Sequence, residues 1–301
     1  MVIGNTDKTA LRPLLVILAG GLGSRFGGNK QIAEIPGLEC SIMELSIQDA
    51  HNAGVMEVVL VINSAIKSTV ETRIIPRLPQ ALTIHLVEQT ILDVPKKHLD
   101  KAKERLKPWG TGHALLTARD YITRPAIVIT ADDYYGPNAY EQLVSHFVAT
   151  AANEHHMAMV GYPIKRTLSE QGGVNRGLCQ LDGGSLVSVK ECLNIKIENN
   201  QLLGECAGET ILINENTLAS MTFWGITPKL MTYLNHDFSR FLDGDDNVVK
   251  KEYYLPDCIQ ACISLNEIHV TAYSAIDDWY GITFKEELDS VAGKLNELRH
   301  G

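Results

Sequence analysis

The stretch from Leu14 to Gln31, LLVILAGGLGSRFGGNKQ, sets what this chain can fold into. Leu14 to Leu18 are all apolar with no polar alternation, the pattern of a strand covered on both faces by helices. Gly20, Gly21, Gly23, Gly27 and Gly28 follow. Each removes a side chain that would hold a ligand away from the backbone N–H groups. Arg25 and Lys30 add fixed positive charge. A buried strand emptying into a glycine loop with two cations suits a polyphosphate, provided the loop folds back on itself.

The two commonest phosphate loops are excluded by counting. A dinucleotide fingerprint starting at Gly21 and Gly23 needs glycine where Phe26 stands, and an acidic end to the second strand where Asn63 and Ser64 stand. A P-loop running from Gly23 to Gly28 needs Lys then Ser or Thr, and finds Asn29 and Lys30. What remains is G-G-x-G-x-R with Lys-Gln five residues on.

At 301 residues the chain can bury a sizeable core, and its 45% hydrophobic and 21% charged content is that of an ordinary globular protein. A net charge of −9 argues against a nucleic-acid surface, which needs a basic patch. An anionic substrate must therefore be met locally, by the loop, a few cations and a metal ion. Six scattered cysteines (Cys40, Cys179, Cys192, Cys206, Cys258, Cys262) form no CxxC pair and read as reduced buried thiols. The apolar run at Leu14 is too short for a secretory signal, and no stretch reaches the roughly 20 apolar residues of a membrane span. The expectation is a cytoplasmic protein with no membrane or nucleic-acid partner; a homo-oligomer is compatible with it.

Ser41 and Glu44 have capping-box spacing, which predicts a helix from Ile42 to Ala53 ending at Gly54. A strand over Val58 to Ile62, a polar helix over Lys67 to Ile75 and a strand over Thr83 to Val87 complete a β-α-β-α-β series, hence a parallel sheet with ligands at its carboxyl edge. Gln89 lies just past one strand end. After a Lys-rich loop, Gly110-Thr111-Gly112 opens a helix, and the two glycines would let backbone approach a flat ligand. The strand Ala126 to Thr130 delivers Asp132 and Asp133 to the same edge. Two carboxylates there suit a divalent ion shared with phosphate oxygens, Asp132 being nearer the strand; capping of the helix near Asn138 is the alternative.

The second half reads as a mixed extension of the sheet, with strands over Met157 to Tyr162, Leu178 to Leu181, Leu186 to Lys190, Thr222 to Ile226 and Ile268 to Ala272. Helices near Lys229 to Leu242, Pro256 to Ile263 and from Glu286 pack on it. Asp243 to Asp246 reads as a solvated acidic turn.

The first loop, Gly-Thr-Gly and the strand-end aspartates, in this order, resemble the sugar-phosphate nucleotidylyltransferases. KPWGTGHALLTA, ITADDYYG, SVKE, FWGIT and DWYGITFKEEL resemble one bacterial branch of that family. The resemblance implies a glycosyltransferase-A-like, doubly wound, mostly parallel α/β sheet in one domain over 1–301, with a nucleotide-binding half (12–150) and a sugar-phosphate-binding half (151–301). It implies NTP and sugar phosphate as substrates and Mg²⁺ as cofactor. Arg25 would hold the departing pyrophosphate and Lys30 the incoming phosphate. Leu18, Ala19, Gly20, Gly21 and Gly23 would line the nucleotide, while Gln89, Gly110, Thr111 and Gly112 would read the base edge. Asp132 would bind the metal, and Gly177, Glu191 and Trp224 the sugar. The family's second metal carboxylate lies in a late W-x-D-x-G segment. Here Trp279 takes that place, with Asp278 its neighbour.

The interval from Arg25 to Lys30 is shorter than in the long-loop sugar pyrophosphorylases. That leaves open a non-sugar acceptor such as phosphocholine or a pterin. A glycosyltransferase using a finished nucleotide sugar and a nucleotide-binding homologue without turnover are the remaining readings.

Overall fold

The computed structural model describes residues 12–21, 29–169, 172–244, 246–282 and 287–300. β1 (Leu14–Ala19) is buried along its whole length. Its alternate side chains enter two different cores: Leu15, Ile17 and Ala19 one, Leu14, Val16 and Leu18 the other. The unbroken apolar run is thus a strand with helices on both faces.

α1 (Ile42–Asn52) starts at the expected capping box, with the Ser41 N–H donating to Glu44 (2.8 Å) and the Glu44 N–H to Ser41 Oγ (3.3 Å). β2 (Glu57–Ile62) follows, then α2 (Ser64–Thr69), whose first N–H groups donate to the Asn63 side chain. The single helix expected over Lys67 to Ile75 is instead α2 followed by a π turn and a 3-10 turn reaching Arg77. Pro76, which lacks an amide donor, stands in that last turn. β3 (Thr83–Glu88), α3 (Leu99–Lys103), α4 (Thr111–Thr117), β4 (Ala126–Thr130), the two-residue β5 (Asp133–Tyr134) and α5 (Pro137–Ala149) complete the first half.

β6 (His156–Pro163), β7 (Val174–Asp182), β8 (Ser185–Glu198), β9 (Gln201–Cys206), β10 (Glu209–Leu212) and β11 (Leu218–Ile226) precede α6 (Lys229–Leu242) and α7 (Leu255–Ser264). β12 (His269–Ser274), β13 (Tyr280–Gly281) and α8 (Glu287–His300) close the chain. The main sheet runs β10-β9-β8-β12-β6-β11-β4-β1-β2-β3, with β7 between β11 and β8. Parallel pairing of β3, β2, β1 and β4 gives the doubly wound half; antiparallel β11 and the hairpins give the mixed half. This is the architecture expected from the sequence.

The second half is more extended than expected. β8 continues to Glu198 and turns through Asn199 and Asn200, both at positive φ (50° and 60°), into β9. That is the backbone of a primed two-residue hairpin turn, for which asparagine is well suited. Register places Cys192 opposite Cys206, Cα atoms 4.4 Å apart, and the two are joined by a disulfide. The expectation of six reduced thiols fails for this pair because the hairpin that aligns them went unread. Asp243, expected in a solvated acidic turn, is exposed and accepts from Lys97 (2.7 and 2.9 Å). Among the described residues, no helix is long and apolar enough to cross a membrane.

Candidate active site

The parallel register sets Leu18 beside Val61 and Thr130, so the segments leaving β1, β2 and β4 emerge on one edge. Leu18 and Ala19 bury their side chains in the cores, and the Leu18 carbonyl accepts from Ala131 N (3.2 Å). Gly23 and Arg25 lie outside the described residues. The two ends of the glycine loop do close on each other. Gln31, buried, donates through Nε2 to the Gly21 carbonyl (2.7 Å). Asn63 donates to the same oxygen (3.1 Å) while capping α2.

Lys30 stands in a 3-10 turn just beyond the loop. Its ammonium forms an ion pair with Asp132 Oδ2, both side chains about one-fifth exposed (22% and 19%), and donates to the Ile282 carbonyl (3.4 Å). Asp133, next in sequence, accepts from Thr130 Oγ1 at 2.7 Å. Burial and the neighbouring Asp132 carboxylate push the Asp133 carboxyl up to about 7. Neither aspartate caps α5: Asp277 does so instead, accepting from the Asn138 backbone N–H (2.8 Å). Gly136, at φ +78°, leaves the room Asp277 needs.

Asp278 does not join this group. It is exposed and lies 3.6 Å from the Arg166 Nε. Trp279 packs on Gly281, which pairs with Asp133 across the β13–β5 bridge. No group of three or more metal-binding side chains occurs among the described residues. The carboxylates that β4 delivers to this edge are Asp132 and Asp133. Two largely buried, mutually repelling carboxylates beside one cation fit a hard divalent ion that would take its other oxygens from phosphates and water.

The glycines of Gly110-Thr111-Gly112 serve a different approach from the one expected. A Cβ at Gly110 would lie 2.5 Å from the Tyr253 carbonyl oxygen, and one at Gly112 would lie 2.6 Å from the Tyr253 ring. Gly112 N donates to Tyr253 O (3.0 Å), Tyr253 N to Trp109 O (2.6 Å), and Leu255 N to Thr111 Oγ1 (3.0 Å). The room expected for a flat ligand is filled by the strand-like segment entering α7. Gln89 instead reaches the edge from β3, its carboxamide oxygen packed over Gly20.

In the second half Gly177 on β7 pairs with Glu191 on β8 and with Ser220 on β11. Glu191 is exposed overall, and partial desolvation of its carboxyl raises its pKa, with Arg176 opposing. Trp224 is not at a surface: 1% exposed, it lies among Val128, Met159 and Ile226 on the face covered by α4, α6 and α7. A strand residue alternates sides, and this one points into the core. Trp279, in contrast, lies beside Asp133, its ring packed on Gly281.

Arg176 was missed by sequence reasoning although it adjoins Gly177. Its guanidinium stands 5.1 Å over the Trp279 ring, donates to Thr167 O (2.7 Å), and is held below its usual range by burial against the pull of Asp133 and Glu191. The signal available was an arginine immediately before a predicted pocket glycine. The Arg176 charge thus acts on both Asp133 and Glu191.

The chain belongs to the nucleotidyl transferase family, whose sequence profile matches residues 14–185, more than half its length. It is a nucleotidyltransferase by that membership. Solved structures share the fold over nearly the whole chain. A UDP-glucose pyrophosphorylase from Acinetobacter baumannii is 15% identical with a TM-score of 0.59, covering 96% of this chain and 94% of its own. The inositol-1-phosphate CTP transferase from T. maritima is 13% identical with a TM-score of 0.62, at 95% and 97% coverage. No curated protein matches the sequence.

Proposed function

We propose that the chain transfers a nucleotidyl group from an NTP to a sugar 1-phosphate and releases pyrophosphate. The observation that carries this reading is the Lys30–Asp132 pair, brought to one sheet edge by the Gln31–Gly21 bond beside the end of β1 and by the end of β4. A sugar phosphate is already an anionic nucleophile at neutral pH, so no general base is needed. One of its oxygens attacks the α-phosphorus, and the bond from that phosphorus to the bridging oxygen of the leaving pyrophosphate breaks. The barrier is the meeting of two anions in line, and positioned cations lower it. Lys30 neutralises charge at the α-phosphate and Arg25 that of the departing pyrophosphate. Asp132 with Asp133 would hold Mg²⁺, which when bound supplies further positive charge to the phosphates. Gln89 reads the base edge, and Gly177 with Glu191 lines the acceptor side.

The test is a panel of NTPs against sugar 1-phosphates, with pyrophosphate detected in the presence and absence of Mg²⁺. Pyrophosphate formed with no acceptor in the panel would sink the reading. A second acceptor class has an observation behind it: Trp279 and Arg176 stack beside Glu191, an aromatic and charged wall suited to a non-sugar alcohol phosphate. The structurally similar T. maritima protein is an inositol-1-phosphate enzyme, so inositol phosphate and phosphocholine belong in the same panel.

A further inference from the structure

Gln89 is held at both ends. Its backbone N–H donates to the Ile62 carbonyl (2.7 Å), and its carboxamide oxygen lies so close to Gly20 that a Cβ there would overlap it. The carboxamide nitrogen meets a histidine: Gln89 Nε2 is 3.1 Å from His113 Nδ1. His113 lies within α4 and is 1% exposed. Its other ring nitrogen, Nε2, is 2.9 Å from the Asp93 carbonyl oxygen.

The direction of this chain of bonds follows from its far end. A carbonyl oxygen only accepts, so His113 carries a proton on Nε2. Burial beside Phe238 (ring centroids 5.0 Å apart) holds the imidazole below its usual range. The Arg119 and Arg105 charges act the same way, against Asp93. A neutral ring with Nε2–H presents Nδ1 as an acceptor. Only the amide nitrogen of Gln89 can donate to it, so the carboxamide oxygen is the end turned to Gly20.

We propose that His113 is a positioning residue for base selection, locking Gln89 with its oxygen toward the nucleotide so that NTPs whose base offers a ring N–H are preferred. Uracil, thymine and guanine carry that N–H. Cytosine and adenine carry a lone pair at the equivalent ring nitrogen and would meet Gln89 acceptor to acceptor. A site built around a fixed hydrogen-bonding group rejects the analogue lacking its partner far more strongly than an apolar site does. The inference rests on the reading of Gln89 as a base-edge residue.

The experiment measures kcat/KM for UTP, dTTP, GTP, CTP and ATP with the wild type, His113→Leu and Gln89→Ala. The wild type should favour at least one of the ring N–H nucleotides over both CTP and ATP by tenfold or more; a preference for CTP or ATP overturns the proposal. His113→Leu keeps the volume and loses the lock. Its ratio should fall by about tenfold, through KM more than kcat, the worth of one misdirected hydrogen bond. An unchanged ratio in His113→Leu overturns the proposal. If Gln89→Ala loses the ratio while His113→Leu keeps it, only the lock is wrong; if both keep it, the base-edge reading itself is wrong. The unaltered protein gives an independent check should the leucine variant not fold. Nitrogen NMR of His113 should show the neutral Nε2–H tautomer, and an Nδ1–H ring overturns the proposal.

Discussion

Removing Lys30 tests the electrostatic account most directly. Its ammonium is paired with Asp132 and is mostly screened from solvent at 22% exposure, so it acts in a medium intermediate between protein and water. A unit charge about 4 Å from a developing charge is worth about 4 kcal/mol at an effective dielectric near 20. At roughly 1.4 kcal/mol per tenfold in rate, that is about three orders of magnitude in turnover, in line with the loss of one transition-state donor. Lys30→Met should therefore lower kcat about a thousandfold, measured as pyrophosphate release at saturating substrates, with a smaller change in the NTP KM. The same variant leaves Asp132 and Asp133 side by side without their cation. Its stability should fall by about 1 kcal/mol, the scale of a partly exposed pair, and added Mg²⁺ should raise its Tm more than that of the wild type. A kcat within tenfold of the wild type would refute the role of Lys30, and a Tm indifferent to Mg²⁺ would refute the aspartate pair as a metal-binding set.

Three further outcomes follow from the packing. Gly110→Ala places a Cβ at φ +110° within 2.5 Å of the Tyr253 carbonyl and should lower unfolding stability by about 2–4 kcal/mol in a denaturant titration; an unchanged midpoint would mean the two segments separate freely. Cys206→Ser opens the loop closed between Cys192 and Cys206, 14 positions apart, which should cost about 3 kcal/mol at most, seen as faster amide exchange confined to β8–β10. His113 has its pKa lowered by burial, so the neutral ring favours the fold above the unfolded-state pKa of about 6.5, and that stability is lost as pH falls through the lower folded value. Unfolding measured from pH 7 to pH 5 should be less steep in His113→Leu than in the wild type, and equal slopes would contradict the neutral ring.

What the sequence made legible was whatever depends on near neighbours. β1, β2 and β4 announce themselves because a strand buried on both faces is almost wholly apolar, and the capping box of α1 needs only Ser41 and Glu44. Asp132 could be placed because it stands two residues past the end of β4. Trp224 could not be placed, because its side depends on the register of β11, which shifts between Ser220 and Trp224 and at Thr222 adopts φ +59°. The glycines at 110 and 112 were read for the right property, close approach, with the wrong partner, since Tyr253 lies more than 140 residues away in sequence.

Gln89 joins the two kinds of information. Its place past β3 is local, but which end of its carboxamide faces Gly20 is decided by His113, and the proton on His113 by the Asp93 carbonyl. A side chain at a strand end can be found by counting, whereas the polarity it shows a ligand is set by the partners that hold it from behind. On the proposed reading of Gln89, base choice would reside in a residue that never touches the substrate, His113, whose bond pattern leaves the carboxamide a single orientation.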